Sequence, residues 1–246
     1  MYDILNIFEK ILKPYKNHYG GEKLNAIKKI LNVKFKLKYY PGIGLIVNKQ
    51  KTPNIILLSH IDLISKFNNK LLNNQKLFSI DDNFLIGALD NSITNAVLIS
   101  ILMEINYEKF NNIEIVFTES EEIDFSGISN YLKKYKNKSK NALFINLDVT
   151  NEGFLENKSI SFEYDKCNIK KLKNIIKKTK KEINKKELHL TNNRESDDID
   201  IIVKNNLLGF SICIPTDEKI HSLKNKIKLN KLEKYKENIK KIIFNF

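Results

Sequence analysis

The sequence predicts an α/β fold, a mostly parallel central sheet with helices on both faces. Three observations carry this. Four short, continuous apolar runs read as strands buried on both faces: 54–59, 113–118, 142–147 and 208–214. Helical stretches lie between them, at Ser92–Ile105, Gly127–Tyr135 and Ile169–Ile183. Strands alternating with helices at this spacing build crossover units.

Taken in order, the chain to Leu31 reads as helical, broken at Gly20-Gly21. Strands follow around Phe35–Tyr40 and Gly44–Asn48, and a small hairpin spans Phe78–Ile86, turning at Asp82-Asn83. A last helix runs near Lys231–Ile243. The 246 residues suit one large domain over 1–246, with no inserted lid or dimerisation domain. Such a chain buries a sizeable core without disulfides. Its two cysteines, Cys167 and Cys213, form no CxxC pair, which fits a reduced, cytoplasmic setting. Cys213 reads as a small core residue, and His18 and His189 as surface residues. No signal peptide is read at Met1–Lys13, and no apolar run approaches the roughly 18 residues of a membrane span.

The formal charge is +13, from 42 basic and 29 acidic residues. A basic chain invites a nucleic-acid reading. Against it, Arg194 is the only arginine, and arginine is the better reader of phosphates and guanine edges. The lysine-rich 133–140 and 170–186 read as exposed helix faces and loops, and no aromatic stacking platform accompanies them. Neither nucleic acid nor membrane is an expected partner.

Chemistry concentrates after the buried strands. His60 and Asp62 follow the first, Glu121 and Glu122 the second, Asp148 the third, and His221 comes a short loop after the fourth. Asp90 lies between the hairpin and a helix. In open α/β sheets, ligands bind beyond the carboxyl ends of the strands. Singly, each residue has a bland reading: a core histidine, a solvated acid pair, a helix cap. As an ordered set, they aim imidazoles and carboxylates at one crevice. His with Asp/Glu and without Cys suits zinc, manganese or cobalt. The donors exceed the needs of one ion, so two divalent metal ions are expected.

These residues resemble the di-zinc aminopeptidase superfamily, which also holds carboxypeptidases and deacylases. The matching stretches are His60-Ile61-Asp62, Gly87-Ala88-Leu89-Asp90-Asn91, Glu121-Glu122, Asp148 in 147–150, and His221 in 214–222. The last two, with Ser196-Asp197, look most like the glutamyl/deblocking aminopeptidase branch. The resemblance implies that His60 and Asp148 bind one metal, that Glu122 and His221 bind the other, and that Asp90 bridges them. It makes Glu121 the general base and Asp62 the partner that orients His60. Peptides would lose N-terminal residues by attack of a metal-bridging hydroxide. A carboxypeptidase, an N-acyl amino-acid deacylase, or a silent relative acting as a scaffold stay open. The chain departs from the family at Asp124, where a glycine is usual, and at Glu218-Lys219, where that branch has Arg-Tyr. Asp62 and Asp90 are 28 positions apart, and Asp148 and His221 are 73 apart, spacings that leave no room for the inserted domains of relatives. Substrate preference and oligomeric state are not set by these residues.

Overall fold

The computed structural model describes residues 3–13, 21–63, 77–192 and 195–244. His18 and the Gly20 side of the expected helix break lie outside them. Two helices come first, α1 (Ile4–Leu12) and α2 (Gly21–Leu31). Asp3 caps α1 by accepting the Leu5 N–H at 3.0 Å. Then follow β1 (Leu37–Tyr40), β2 (Gly44–Val47) and β3 (Ile55–His60). The hairpin is β4 (Phe78–Asp81) and β5 (Phe84–Gly87), followed by α3 (Ser92–Glu104) and β6 (Ile113–Thr118). A single turn, α4 (Glu121–Asp124), leads into α5 (Ser126–Ser139). The chain continues through β7 (Leu143–Thr150), β8 (Ile160–Glu163), α6 (Ile169–Glu182) and β9 (Leu188–Thr191). Last come α7 (Asp198–Lys204), β10 (Leu208–Pro215), β11 (Lys226–Lys228) and α8 (Asn230–Phe244).

Eight strands form the main sheet in the order β1-β2-β6-β3-β7-β10-β8-β9. The central four, β6, β3, β7 and β10, are parallel; β1, β2 and the join between β10 and β8 are antiparallel. From β3 the chain goes to β6 on one side and then to β7 on the other. The strand order therefore reverses at β3 and β7, where an α/β sheet opens a crevice at its carboxyl ends.

Each central strand is buried on both faces and divides its side chains between two layers. Ile55 and Leu57 join the larger core with α1, α2, α3, α6 and α8, whereas Ile56 and Leu58 join the smaller core with α5 and α7. The same alternation puts Ile145, Leu147 and Val149 of β7 in the larger core and Asn146, Asp148 and Thr150 on the opposite face. Helix α3 is buried from Ser92 to Met103 on every side, which explains its lack of a polar face. Its carboxyl end is held by Lys34, whose Nζ donates to the Met103 and Ile105 carbonyls at 2.9 and 2.5 Å.

Several elements differ from expectation. The third apolar run extends to Thr150, so Asp148 lies within β7 rather than after it. His60 likewise is the last residue of β3. Strands β8, β9 and β11 and helix α7 have no counterpart in the sequence reading. His189 is not a plain surface residue: it is half-buried on β9 between Glu152 and Glu156, 3.1 Å from each.

Candidate metal centre

Three local devices carry the side chains into the crevice. First, Asn91 Nδ2 donates to the Leu147 carbonyl at 2.6 Å and to Ser59 Oγ at 3.1 Å. Asn95 Nδ2 donates to the His60 carbonyl at 2.8 Å. These bonds tie the start of α3, and with it Asp90, to the ends of β3 and β7. The Asp90–Asn91 peptide is cis. Second, the chain leaves β6 through Ser120 in the left-handed region, φ 61°, and turns at once into α4. Glu121 and Glu122 therefore start a helical turn, and the alternation of an extended strand does not apply to them. Asp62 holds this turn, accepting the backbone N–H of Glu121 at 3.2 Å and of Glu122 at 3.0 Å. Gly127 is required behind it, because a Cβ there would sit 2.2 Å from the Glu119 carbonyl oxygen. Third, the His221 loop is cinched by Asn225, whose Nδ2 donates to Asp217 Oδ1 at 2.9 Å and to Thr216 Oγ1 at 3.1 Å.

The seven residues singled out in the sequence converge. Asp90 Oδ1 lies 3.1 Å from His60 Nε2, and Asp90 Oδ2 lies 3.3 Å from His221 Nε2. Asp148 Oδ1 is 3.6 Å and Glu121 Oε2 is 3.8 Å from His60 Nε2. Glu122 Oε2 is 3.8 Å from His221 Nε2. Asp62 Oδ1 stands 3.4 Å from His60 Nδ1, on the far side of the ring. Three groups of donor atoms lie within 4.8 Å of one another: His60–Asp90–Asp148, Asp90–Glu122–His221, and His60–Glu121–Glu122.

The electrostatics are those of a site short of positive charge. Burial pushes Glu122 up to about 8, with Asp90 adding to it. Burial likewise raises Asp148 to about 6, despite His60. Glu121 is held well above the usual carboxylate range, by burial and then by Asp148. Asp90 goes the other way: burial opposes its ionisation, but hydrogen bonds from His221 and His60 win. Burial also works against a charged His60, yet the surrounding acids, Glu121 and Asp148 first, hold its imidazole well above its ordinary value. The Glu122 Oε1 atom is buried without a hydrogen-bond partner among the described residues. Buried carboxylates packed this closely, one with an orphaned oxygen, fit divalent cations, and the imidazole and carboxylate donors suit zinc, manganese or cobalt.

Residues 43–243 match the profile of Peptidase family M28. The chain belongs to this family. Among solved structures, a Pyrococcus horikoshii TET1 peptidase that can assemble into a tetrahedron or a large octahedral shell matches with TM-score 0.76 at 14% identity, over 99% of this chain and 100% of that one. The aminopeptidase APDkam598 from Desulfurococcus kamchatkensis gives 0.73 at 11% identity, over 99% and 96%. An Acidobacteriales bacterium glutaminyl cyclase gives 0.64 at 17% identity, over 98% and 92%. No curated protein matches the chain. No helix among the described residues is long and apolar enough to cross a membrane.

The departures from the family pattern have local roles. Asp124 Oδ1 accepts the N–H of Ser126, the first residue of α5, at 2.9 Å. Glu218 and Lys219 line a neighbouring depression and are not among the residues lining the cleft that holds His60 and His221. Sequence reasoning missed Glu163, Asn146 and Ser211. Asn146 Nδ2 donates to Asp148 Oδ2 and Asp197 Oδ2, each at 3.2 Å, and Ser211 Oγ donates to the same Asp197 oxygen. Asp197 also caps α7 through the Ile199 N–H at 2.8 Å. A polar residue recurring every second position in an apolar run was the available signal.

Proposed function

We propose that this M28 chain is a two-metal aminopeptidase that removes N-terminal residues from peptides. His60 and Asp148 would hold one divalent cation, Glu122 and His221 the other, with Asp90 between them. The observation that supports this best is the split of one carboxylate: the two oxygens of Asp90 face two different histidines, at 3.1 and 3.3 Å. A pair of bound zinc ions, or manganese or cobalt, would polarise the scissile carbonyl and acidify water. Glu121 would accept a proton from the attacking water and return it to the leaving amine, a role favoured by a buried carboxyl whose affinity for protons is raised. Asp62 would orient His60 from behind and hold the α4 turn that presents both glutamates. The reading takes 1–246 as one catalytic unit, and the cytoplasm as its setting, where Cys167 and Cys213 stay reduced thiols.

The test separates the adjacent glutamates. Glu121→Gln is expected to keep two metal equivalents and lose about 10²–10⁴ in turnover of aminoacyl-p-nitroanilides. Glu122→Gln is expected to lose one equivalent and to recover part of its activity in excess metal. Reversed behaviour would exchange the two roles. Wild-type turnover of N-acylated substrates, with none of free-amino ones, would move the enzyme to the deacylases.

A further inference from the structure

The cleft at the metal centre encloses about 200 Å³ and continues past the metal-binding residues along the sheet. Thr150, Cys213 and Glu163 also line it. Glu163 is only 3% exposed, yet it lines this space. Its Oε1 accepts a bond from Ser161 Oγ at 2.9 Å, and no lysine, arginine or histidine pairs with it among the described residues. Its acidic neighbours are Asp197 and Glu152, and no described residue lining the cleft is a lysine or arginine. A buried carboxylate supported by hydroxyls alone is costly to keep. Glutamine would fill the same space and accept the same bond at lower cost, so packing does not account for an acid here.

The register places it relative to the chemistry. Glu163 pairs with Ser211 across β10, and Ser211 pairs with Asn146 across β7. Asn146, Asp148 and Thr150 share one face of β7, so Glu163 shares that face two strands away. Asp148 itself pairs through Cys213 with Ser161, so Glu163 stands two strands across and two residues along from it. Two strand spacings of about 9.5 Å in all, with about 6.6 Å along the strand, put the two positions about 11–12 Å apart. That offset is too long for a peptide's α-amine, one carbon from the scissile carbonyl. It matches the reach of a long side chain extending from that carbon. Cys213, paired with Asp148 on that face, and the methyl group of Thr150 flank the path and would pack the methylene stem of such a side chain while its charged head goes on to the carboxylate.

We infer that Glu163 is a specificity-determining residue that receives the cationic side chain of an N-terminal lysine or arginine. The inference rests on the aminopeptidase reading for the identity of the substrate, though not for the binding of the side chain. The probe is a pair of ligands that differ only at the ε-position, L-lysinamide and L-norleucinamide. Binding of both is measured by calorimetry at pH 8, above the value of about 7 to which burial raises the Glu163 carboxyl. The zinc-loaded wild-type protein is expected to bind lysinamide at least about tenfold more tightly, the scale of one charged hydrogen bond. Glu163→Gln is expected to abolish that preference and leave norleucinamide binding unchanged. The kcat/KM ratio for lysyl- and norleucyl-p-nitroanilide is expected to follow the same pattern. Equal wild-type binding of the two ligands overturns the assignment. So does a preference that survives Glu163→Gln, or an equal loss for both ligands, which would mean a structural role. A Glu163-dependent preference for lysinamide without hydrolysis of either anilide would leave the pocket assignment standing and remove the aminopeptidase reading. Hydrolysis without preference would do the reverse.

Discussion

Lys23 on α2 is completely buried, and its Nζ has no hydrogen-bond partner among the described residues. Burial lowers its pKa from 10.5 to about 8, and attraction to Asp62, Asp90, Glu122 and Asp148 offsets this only in part. A depression of that size corresponds to about 3 kcal/mol. Below pH 8 the lysine is charged in both the native and the unfolded chain, and the native state bears the whole penalty. Between about pH 8 and 10.5 the native lysine sheds its proton while the unfolded one keeps it. The unfolded state then binds more protons, so stability rises with pH across that window. Above it both forms are neutral and the penalty is gone. Lys23→Met removes the charge and keeps much of the volume. Urea unfolding in chelator at pH 7 is expected to show the variant more stable than wild type by about 1–3 kcal/mol. The advantage should shrink towards zero as pH climbs from 8 to 10.5. A variant less stable at pH 7, or an advantage that does not change with pH, would refute the reasoning, because either result means the buried charge is compensated.

Two predictions concern the candidate metal centre. Asp90→Ala is expected to abolish activity and to lower metal content at both sites by elemental analysis; retention of two tightly held ions would place the bridge elsewhere. Asp62→Asn is expected to leave both ions bound while costing about 10–100-fold in metal affinity or turnover at the His60 side, since it stands 3.4 Å from His60 Nδ1. Unchanged titration curves and rates would remove Asp62 from the His60 support.

The central strands were legible because they are buried on both faces, which leaves continuous runs such as 113–118 with nothing else to become. Their chemistry was legible for the same reason: a carboxylate or imidazole at the end of such a run has no packing role. Helix α7 was not legible. Ile199, Ile201, Ile202 and Val203 are β-branched, and their helical state depends on Asp197 at the cap and on burial of Ile199 and Ile202 against the sheet. Strand β8 is only four residues long, and its Ser161 and Glu163 alternate with Ile160 and Phe162. That pattern reads as a strand with one solvated face. Here all four residues are buried, because the polar face turns into the cleft and not into water.

The two glutamates show how far position in the sequence carries a role. Alternation along an extended strand would have sent Glu121 and Glu122 to opposite sides. The left-handed Ser120 bends the chain first, and Asp62 accepts both backbone N–H groups of the turn. Separation of the side chains is thus a property of α4: Glu121 Oε2 comes to 3.8 Å from His60 Nε2, and Glu122 Oε2 to 3.8 Å from His221 Nε2. Asp148 depends on register instead. A slip of one residue in β7 would bury Leu147 in its place and turn Asp148 into the larger apolar core. The pairing of Asp148 with Cys213 and of Thr150 with Pro215 excludes that slip only because the apolar residues of β7 and β10 face the same layer. Asp148 is thereby positioned by the hydrophobic pattern on the other face of its own strand.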